Sequence, residues 1–214
     1  MNNNKKNNSG KLDVPYYRQS RQYTCGPAAL MMVMKYWDKK FEFSKSIEFD
    51  LWLKSNPFVF LGGTLQYGLA RAAKNKGFKT EIYQKKKFSD SYLKLHSFIN
   101  LYEYIISFGT RHLKIPVYFG RDTLDVIREA LDNSIPPLVF LNLKPMINEN
   151  VFHWVVVTGM DDNNIYLNDP YIPRHFILEM EKNHPVDIKV FKMAIATDRV
   201  NNLRLPSCVV LVYK

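Results

Sequence analysis

Hydrophobic positions along the chain recur first with a helical period and later with a strand period. Leu12 to Tyr17 reads as a short extended segment with Pro15 inside it. Cys25-Gly-Pro-Ala-Ala then opens a helix through about Trp37, with Pro27 in the first turn, where its missing N–H costs nothing. Every residue from Ala28 to Met34 is apolar, so this helix is expected to be buried all round and not along one stripe. A second helix is expected from Thr64 as N-cap, with Leu65, Leu69, Ala72 and Ala73 at helical spacing and Gly77 as its C-terminal cap. Lys79 to Gln84 alternates like a strand, Phe88 to Phe108 reads as mostly helical, and Ile115 to Phe119 has strand composition. Asp122 or Thr123 caps a further helix through about Leu131, and Pro136 with Pro137 ends that region.

The last third changes character. Leu138 to Leu143, Phe152 to Thr158 and Ile165 to Asn168 are β-rich runs separated by turn residues at Asn148, Asp161 to Asn164 and Pro170, which predicts an antiparallel sheet with a hairpin built on Met160 to Asn164. Val186 to Ile195 carries Ile188, Phe191, Ala194 and Ile195 at helical spacing, and Ser207 to Tyr213 reads as a closing strand. Helices first and strands later predict an α+β fold in one domain over residues 12–214, preceded by a disordered polar tail at residues 1–11, with no linker and no internal repeat.

Composition narrows the classes. The chain has 214 residues of which 46% are hydrophobic, enough for a substantial core. Its longest apolar stretches, such as Cys208 to Tyr213, fall well short of the roughly 20 residues of a spanning helix. Met1 to Lys11 lacks the apolar heart of a secretory signal, so a cytoplasmic location is the expectation. The formal charge of +10 favours anionic partners. The first 40 residues hold eight Lys or Arg against Asp13 and Asp38, yet no RNA-binding or helix-turn-helix pattern accompanies them. No nucleic acid is expected, and the charge supports at most a weak attraction to anionic surfaces. His96, His112, His175 and His184 have no metal-ligand spacing, so neither metal nor cofactor is expected.

Two cysteines are too few for a disulfide framework, and each is weighed alone. Cys208, inside a run of valines and leucine, reads as a buried strand residue. Cys25 begins a helix, where unpaired N–H groups and the helix dipole favour a thiolate. The backbone of Gly26 could pack close to a substrate, and the Cys25 N–H could face a developing oxyanion. Gln19, six residues before Cys25 on a polar segment, could donate to the same oxyanion, with Gln22 as a rival. His153 precedes a hydrophobic strand, a rigid mount for a general base. Asp169, sixteen residues later, ends the next strand, and antiparallel pairing would bring it to the same sheet edge as His153. The carboxylate could then orient one ring nitrogen while the other faces Cys25. Lys85 to Lys87 reads as a solvated turn or a dock for an acidic substrate; Phe41, Phe43, Phe49, Trp52, Phe58 and Phe60 read as a small second core or a substrate groove.

These segments resemble a known family. Val14-Pro-Tyr-Tyr-Arg-Gln19 through Cys25-Gly-Pro-Ala-Ala-Leu30, then His153-Trp-Val-Val-Val and Asn168-Asp-Pro170, are similar to the C39-like branch of the papain-like cysteine peptidases, over most of residues 12–214. The resemblance implies a papain-like fold, with an N-terminal helical half whose nucleophile helix packs on an antiparallel sheet. It implies Cys25 as nucleophile, His153 as base, Asp169 as orienting acid and Gln19 as oxyanion donor, acting on a peptide or protein substrate by way of an acyl-enzyme. The same residues would serve an acyl transferase, and a degenerate cleft would serve as a peptide-binding module. The best-understood relatives are fused to peptide exporters and cut after a double-glycine leader; this chain has neither spans nor a phosphate loop, so that substrate does not carry over. The stretches from Phe41 to Leu61 and from Phe88 to Phe108 read as additions that shape the cleft.

Overall fold

The computed structural model describes residues 10–56, 63–85, 112–171, 182–201 and 203–214. The expected helix from Phe88 to Phe108, most of the tail, and Phe58, Phe60, Lys86, Lys87, His96 and His175 lie outside them.

Three helices come first, α1 (Cys25–Trp37), α2 (Lys45–Ser55) and α3 (Gln66–Asn75). The strands β1 (Lys79–Gln84) and β2 (Val117–Phe119) precede α4 (Thr123–Asp132) and β3 (Leu138–Asn142). After the single turn α5 (Lys144–Ile147) come β4 (Phe152–Met160), β5 (Asn164–Asn168), β6 (His184–Asp187) and α6 (Ile188–Ala196). A small ribbon, β7 (Arg199–Val200) with β8 (Leu203–Arg204), leads into β9 (Cys208–Tyr213). Among the described residues the main sheet has seven strands in the order β2-β1-β9-β3-β4-β5-β6.

As its composition requires, α1 is buried from Cys25 to Met34. It packs on β4, one of the central strands, which with β3 and β9 is buried almost end to end. α2 was not legible from hydrophobicity, and the reason is visible. Its buried residues, Glu48, Leu51, Trp52 and Ser55, stand at helical spacing, but two of the four are polar, so the stripe carries no hydrophobic period. Ser44 caps it by accepting from the Ile47 N–H at 3.1 Å.

Three expectations are corrected. The N-cap of α3 is Leu65 and not Thr64, because tertiary bonds claim Thr64: its hydroxyl accepts from the Asn56 amide at 3.1 Å and its carbonyl from the Trp154 indole at 2.8 Å. Gly77, with φ +86°, does end the helix, in a Schellman turn closed by Gly77 N–H to Lys74 C=O and Phe78 N–H to Ala73 C=O. The sheet is not wholly antiparallel, since β1 and β2 run parallel. The connection from Gln84 to Val117 is long enough for the crossover a parallel pair needs. The expected helix from Val186 begins only at Ile188, where the Asp187 carboxylate accepts from the Lys189 N–H; the residues before it form β6 on the edge of β5.

The N-terminal segment acts as a strap. Leu12 N–H bonds the carbonyl of Thr158 at 2.7 Å, where β4 carries a bulge opposite β5. Lys11 already rests its ammonium over the Tyr166 ring at 3.5 Å. Farther along, the Asn168 amide donates to Val14 C=O at 3.0 Å, and Gln19 N–H to Pro170 C=O at 3.0 Å. The strap therefore delivers Gln19 to the turn that carries Asp169.

Candidate active site

β4 is held in register by β3 on one side, with Leu141 opposite His153, and by β5 on the other, with Asn168 opposite Val156. Continuing that second register past Asn168 puts Asp169 opposite Val155, on the same sheet face as His153 and diagonal to it. The Asp169 side chain closes the diagonal: its Oδ1 lies 2.6 Å from His153 Nε2. The pair is dry, with His153 3% and Asp169 1% exposed.

The carboxylate is fixed by more than the imidazole. Its Oδ1 also accepts from the Tyr171 N–H at 2.8 Å, while the Tyr16 hydroxyl donates to the Asp169 carbonyl at 2.9 Å. Burial, then the nearby Asp169 charge, pushes the Tyr16 phenol up to about 12, so it remains a donor. Tyr171 stands edge-on to the His153 ring, centroids 5.6 Å apart at 82°, and its hydroxyl donates to Glu149.

Cys25, the first residue of α1, stands near the same ring. With Nε2 taken by Asp169, Nδ1 is the ring nitrogen left open, and the nearby Cys25 favours the ring's charged form. Burial is the largest influence on His153 and opposes its charged form, yet Asp169 and then Cys25 together outweigh it and raise the ring's pKa to about 10. The surroundings therefore favour the charged form of the ring. Thr24, the N-cap of α1, makes no side-chain cap, so the first-turn amides around Cys25 are left without one.

Gln19 is 2% exposed, whereas its rival Gln22 lies on the surface. The Gln19 Nε2 donates to Arg21 C=O at 2.9 Å, and among the described residues its Oε1 is buried without a partner. Beside it opens a cleft of about 520 Å³ lined by Tyr17, Arg18, Gln19, Ser20, Phe43, Ser44 and Lys45. A smaller cavity of about 280 Å³ sits near Thr158 to Asp162, at the far end of β4 from His153.

The reading of Gly26 as a substrate-facing backbone is corrected. A Cβ there would meet Leu69 at 2.6 Å and Thr64 and Trp154 at 3.2 Å, so this glycine faces α3 and β4 and lets α1 approach them. The aromatics divide: Trp52 is buried, stacked on Phe49 at 5.5 Å, while Phe43 packs on Tyr17 at 4.9 Å and lines the cleft. Cys208 is a buried residue of β9 whose thiol burial pushes up. His112 is exposed and His184 lies in β6. The residues sequence reasoning did not single out are Tyr171 and Glu48. Glu48 accepts from Tyr17, Ser20 and Thr24, on both sides of Gln19, and only the helical spacing of the α2 stripe could have found it.

A thiol at an uncapped helix start, facing a dry imidazole held by a carboxylate on a mixed α+β scaffold, defines the architecture of the papain-like cysteine peptidases. Residues 14–208 match the Peptidase_C39 like family, and the chain belongs to that family. No curated protein matches the chain. Among solved structures it is similar to a double glycine motif protease from an AMS/PCAT transporter, solved in complex with the leader peptide, at 17% identity and a TM-score of 0.50, over 97% of this chain and 96% of the other. It is also similar to a C39-like peptidase from Bacillus anthracis, at 13% identity and a TM-score of 0.54, over 94% of this chain and 96% of that one. At such identities the likeness is one of fold, which is that of the C39 papain-like peptidases. Among the described residues no helix is long and apolar enough to cross a membrane.

Proposed function

We propose that the protein is a cysteine peptidase that cleaves a peptide or amide bond through Cys25, His153, Asp169 and Gln19, with residues 12–214 as one catalytic domain. The observation that carries the reading is the buried His153–Asp169 pair, 2.6 Å apart, with Cys25 near the ring. His153 takes the proton of the Cys25 thiol, and Asp169 holds the resulting imidazolium in line. The sulfur attacks the scissile carbonyl carbon, and the C–S bond forms as the carbonyl π pair moves onto oxygen. That oxyanion is met by the Cys25 N–H and by the Gln19 Nε2 hydrogen not spent on Arg21. His153 returns its proton to the leaving nitrogen as the C–N bond breaks, leaving a thioester. Water then gives a proton to His153 and attacks, and the acid product leaves with the thiolate restored.

A peptide or protein substrate fits the cleft beside Gln19, which is open and walled by Tyr17 and Phe43. The double glycine motif protease, solved with a leader peptide, supports peptides as the first substrates to test. The rate of Cys25 alkylation against pH, with Cys208→Ala as background, tests the site directly. A high rate below pH 7 that His153→Ala removes is expected, followed by peptide hydrolysis that Cys25→Ala abolishes. A rate rising only near pH 8.5 and indifferent to His153 would leave a peptide-binding module.

A further inference from the structure

Glu48 lies outside the proposed chemistry, yet it is a fully buried acidic side chain, on a helix whose hydrophobic pattern gives no sign of it. A buried carboxyl group is costly unless its oxygens are bonded, and here both are. Oε2 accepts from the Tyr17 hydroxyl at 2.9 Å, and Oε1 from the Ser20 N–H at 2.8 Å and from the Thr24 hydroxyl. These donors bracket Gln19 and end at the residue before Cys25. From α2, then, one side chain ties down the whole segment between the strap and α1.

The Thr24 contact has a second effect. A threonine at an N-cap ordinarily turns its hydroxyl to a first-turn N–H. In α1 the third helical residue is Pro27, which has no N–H, so Gly26 would be the amide so capped. The Thr24 hydroxyl instead lies between the Glu48 carboxyl group and Arg21 C=O, the latter at 2.8 Å, its one proton shared by the two acceptors, and makes no cap.

We infer that Glu48 is a positioning residue: it fixes the segment from Tyr17 to Thr24, so that the Gln19 oxyanion donor is held in place. Its effect on turnover rests on the peptidase reading; its effect on the segment does not. The test compares the full-length protein with Glu48→Gln and Tyr17→Phe. Three quantities are measured: backbone amide exchange of residues 17–25 by mass spectrometry, peptide hydrolysis, and Cys25 alkylation by iodoacetamide, which forms no oxyanion. For Glu48→Gln, exchange in 17–25 should rise at least about tenfold while that of β3 and β4 holds. The kcat should fall on the order of 10²-fold, the loss typical of one oxyanion donor, with KM and alkylation within about threefold. Tyr17→Phe, which removes one of the three bonds, should give a smaller rise in exchange, and it carries the test if Glu48→Gln does not fold. Unchanged exchange in 17–25, or alkylation falling in step with kcat, would overturn the inference. Absence of hydrolysis by the unmodified protein would sink the peptidase reading instead, and exchange would still decide the role of Glu48.

Discussion

The two cysteines occupy similarly dry places and are chemically unlike. Cys25 is 7% exposed and Cys208 2%, and neither is in a disulfide. Cys208 sits in β9 between Gln84 of β1 and Phe140 of β3, where burial alone acts on the thiol and pushes it up, toward the neutral form. Cys25 meets a dry imidazole backed by a carboxylate, at a helix start whose amides are uncapped. What separates the two is the partner set. Desolvation without a partner holds a thiol neutral, whereas burial beside an imidazole paired with a carboxylate gives the charged forms partners.

The widest test of that contrast is to remove each sulfur. Cys25→Ala should reduce peptide hydrolysis by on the order of 10⁶-fold, the scale of losing a protease nucleophile, whereas Cys208→Ala should leave kcat within about twofold. Equal losses from both would end the distinction. The next test keeps both thiols and removes the partner: in His153→Ala, alkylation of Cys25 at pH 6 should fall roughly 10²-fold, toward the rate of an ordinary thiol, while Cys208 stays unreactive until the protein is unfolded.

Stability against pH sharpens the comparison from the imidazole's side. His153 has a folded pKa of about 10 against 6.5 in an unfolded chain, so its charged form contributes stability that is complete below about pH 6.5 and is lost as pH rises through about 10. The Tm advantage of the native protein over His153→Gln should therefore shrink between pH 6 and pH 10.5. An advantage that stays level would mean the ring is neutral throughout.

The smallest effects are in packing. Gly68→Ala puts a Cβ 2.0 Å from the Ser55 carbonyl oxygen, backbone that cannot yield cheaply, and should cost toward the top of roughly 1–3 kcal/mol. Gly26→Ala meets first the end of the Leu69 side chain, which can move, and should cost toward the bottom of that roughly 1–3 kcal/mol range. Cys208→Ala, losing only a sulfur from the sheet, should cost about 1 kcal/mol. Thermal denaturation of the three variants gives the order.

Much of this molecule could be read from its residues because local chemistry and burial agreed. α1 is apolar throughout and buried throughout; Asp122 caps α4 by accepting from the Leu124 and Asp125 N–H groups, as its position indicates. Cys25, His153 and Asp169 stand out in the sequence because a thiol at a helix start, a histidine leading an apolar strand and an Asp-Pro turn are each odd for their surroundings, and the fold brings His153 and Asp169 together. Where polar residues fill the interior, the pattern failed. α2 buries Glu48 and Ser55, Thr64 answers Asn56 and Trp154 and does not cap α3, and Gly26 faces the interior and not a ligand.

The sequence by itself determined which segments are helix or strand wherever a hydrophobic period runs through them, and which side chains have the chemistry to act together. Tertiary structure alone decided the parallel β1–β2 pair, the β6 edge, the diagonal that joins His153 to Asp169, and the seating of Glu48 beneath the Gln19 segment. The reason is physical: period and capping are properties of neighbours in the chain, while register and the satisfaction of buried polar groups depend on partners as distant as Tyr17 from Glu48 or Val14 from Asn168, which only the folded chain brings together.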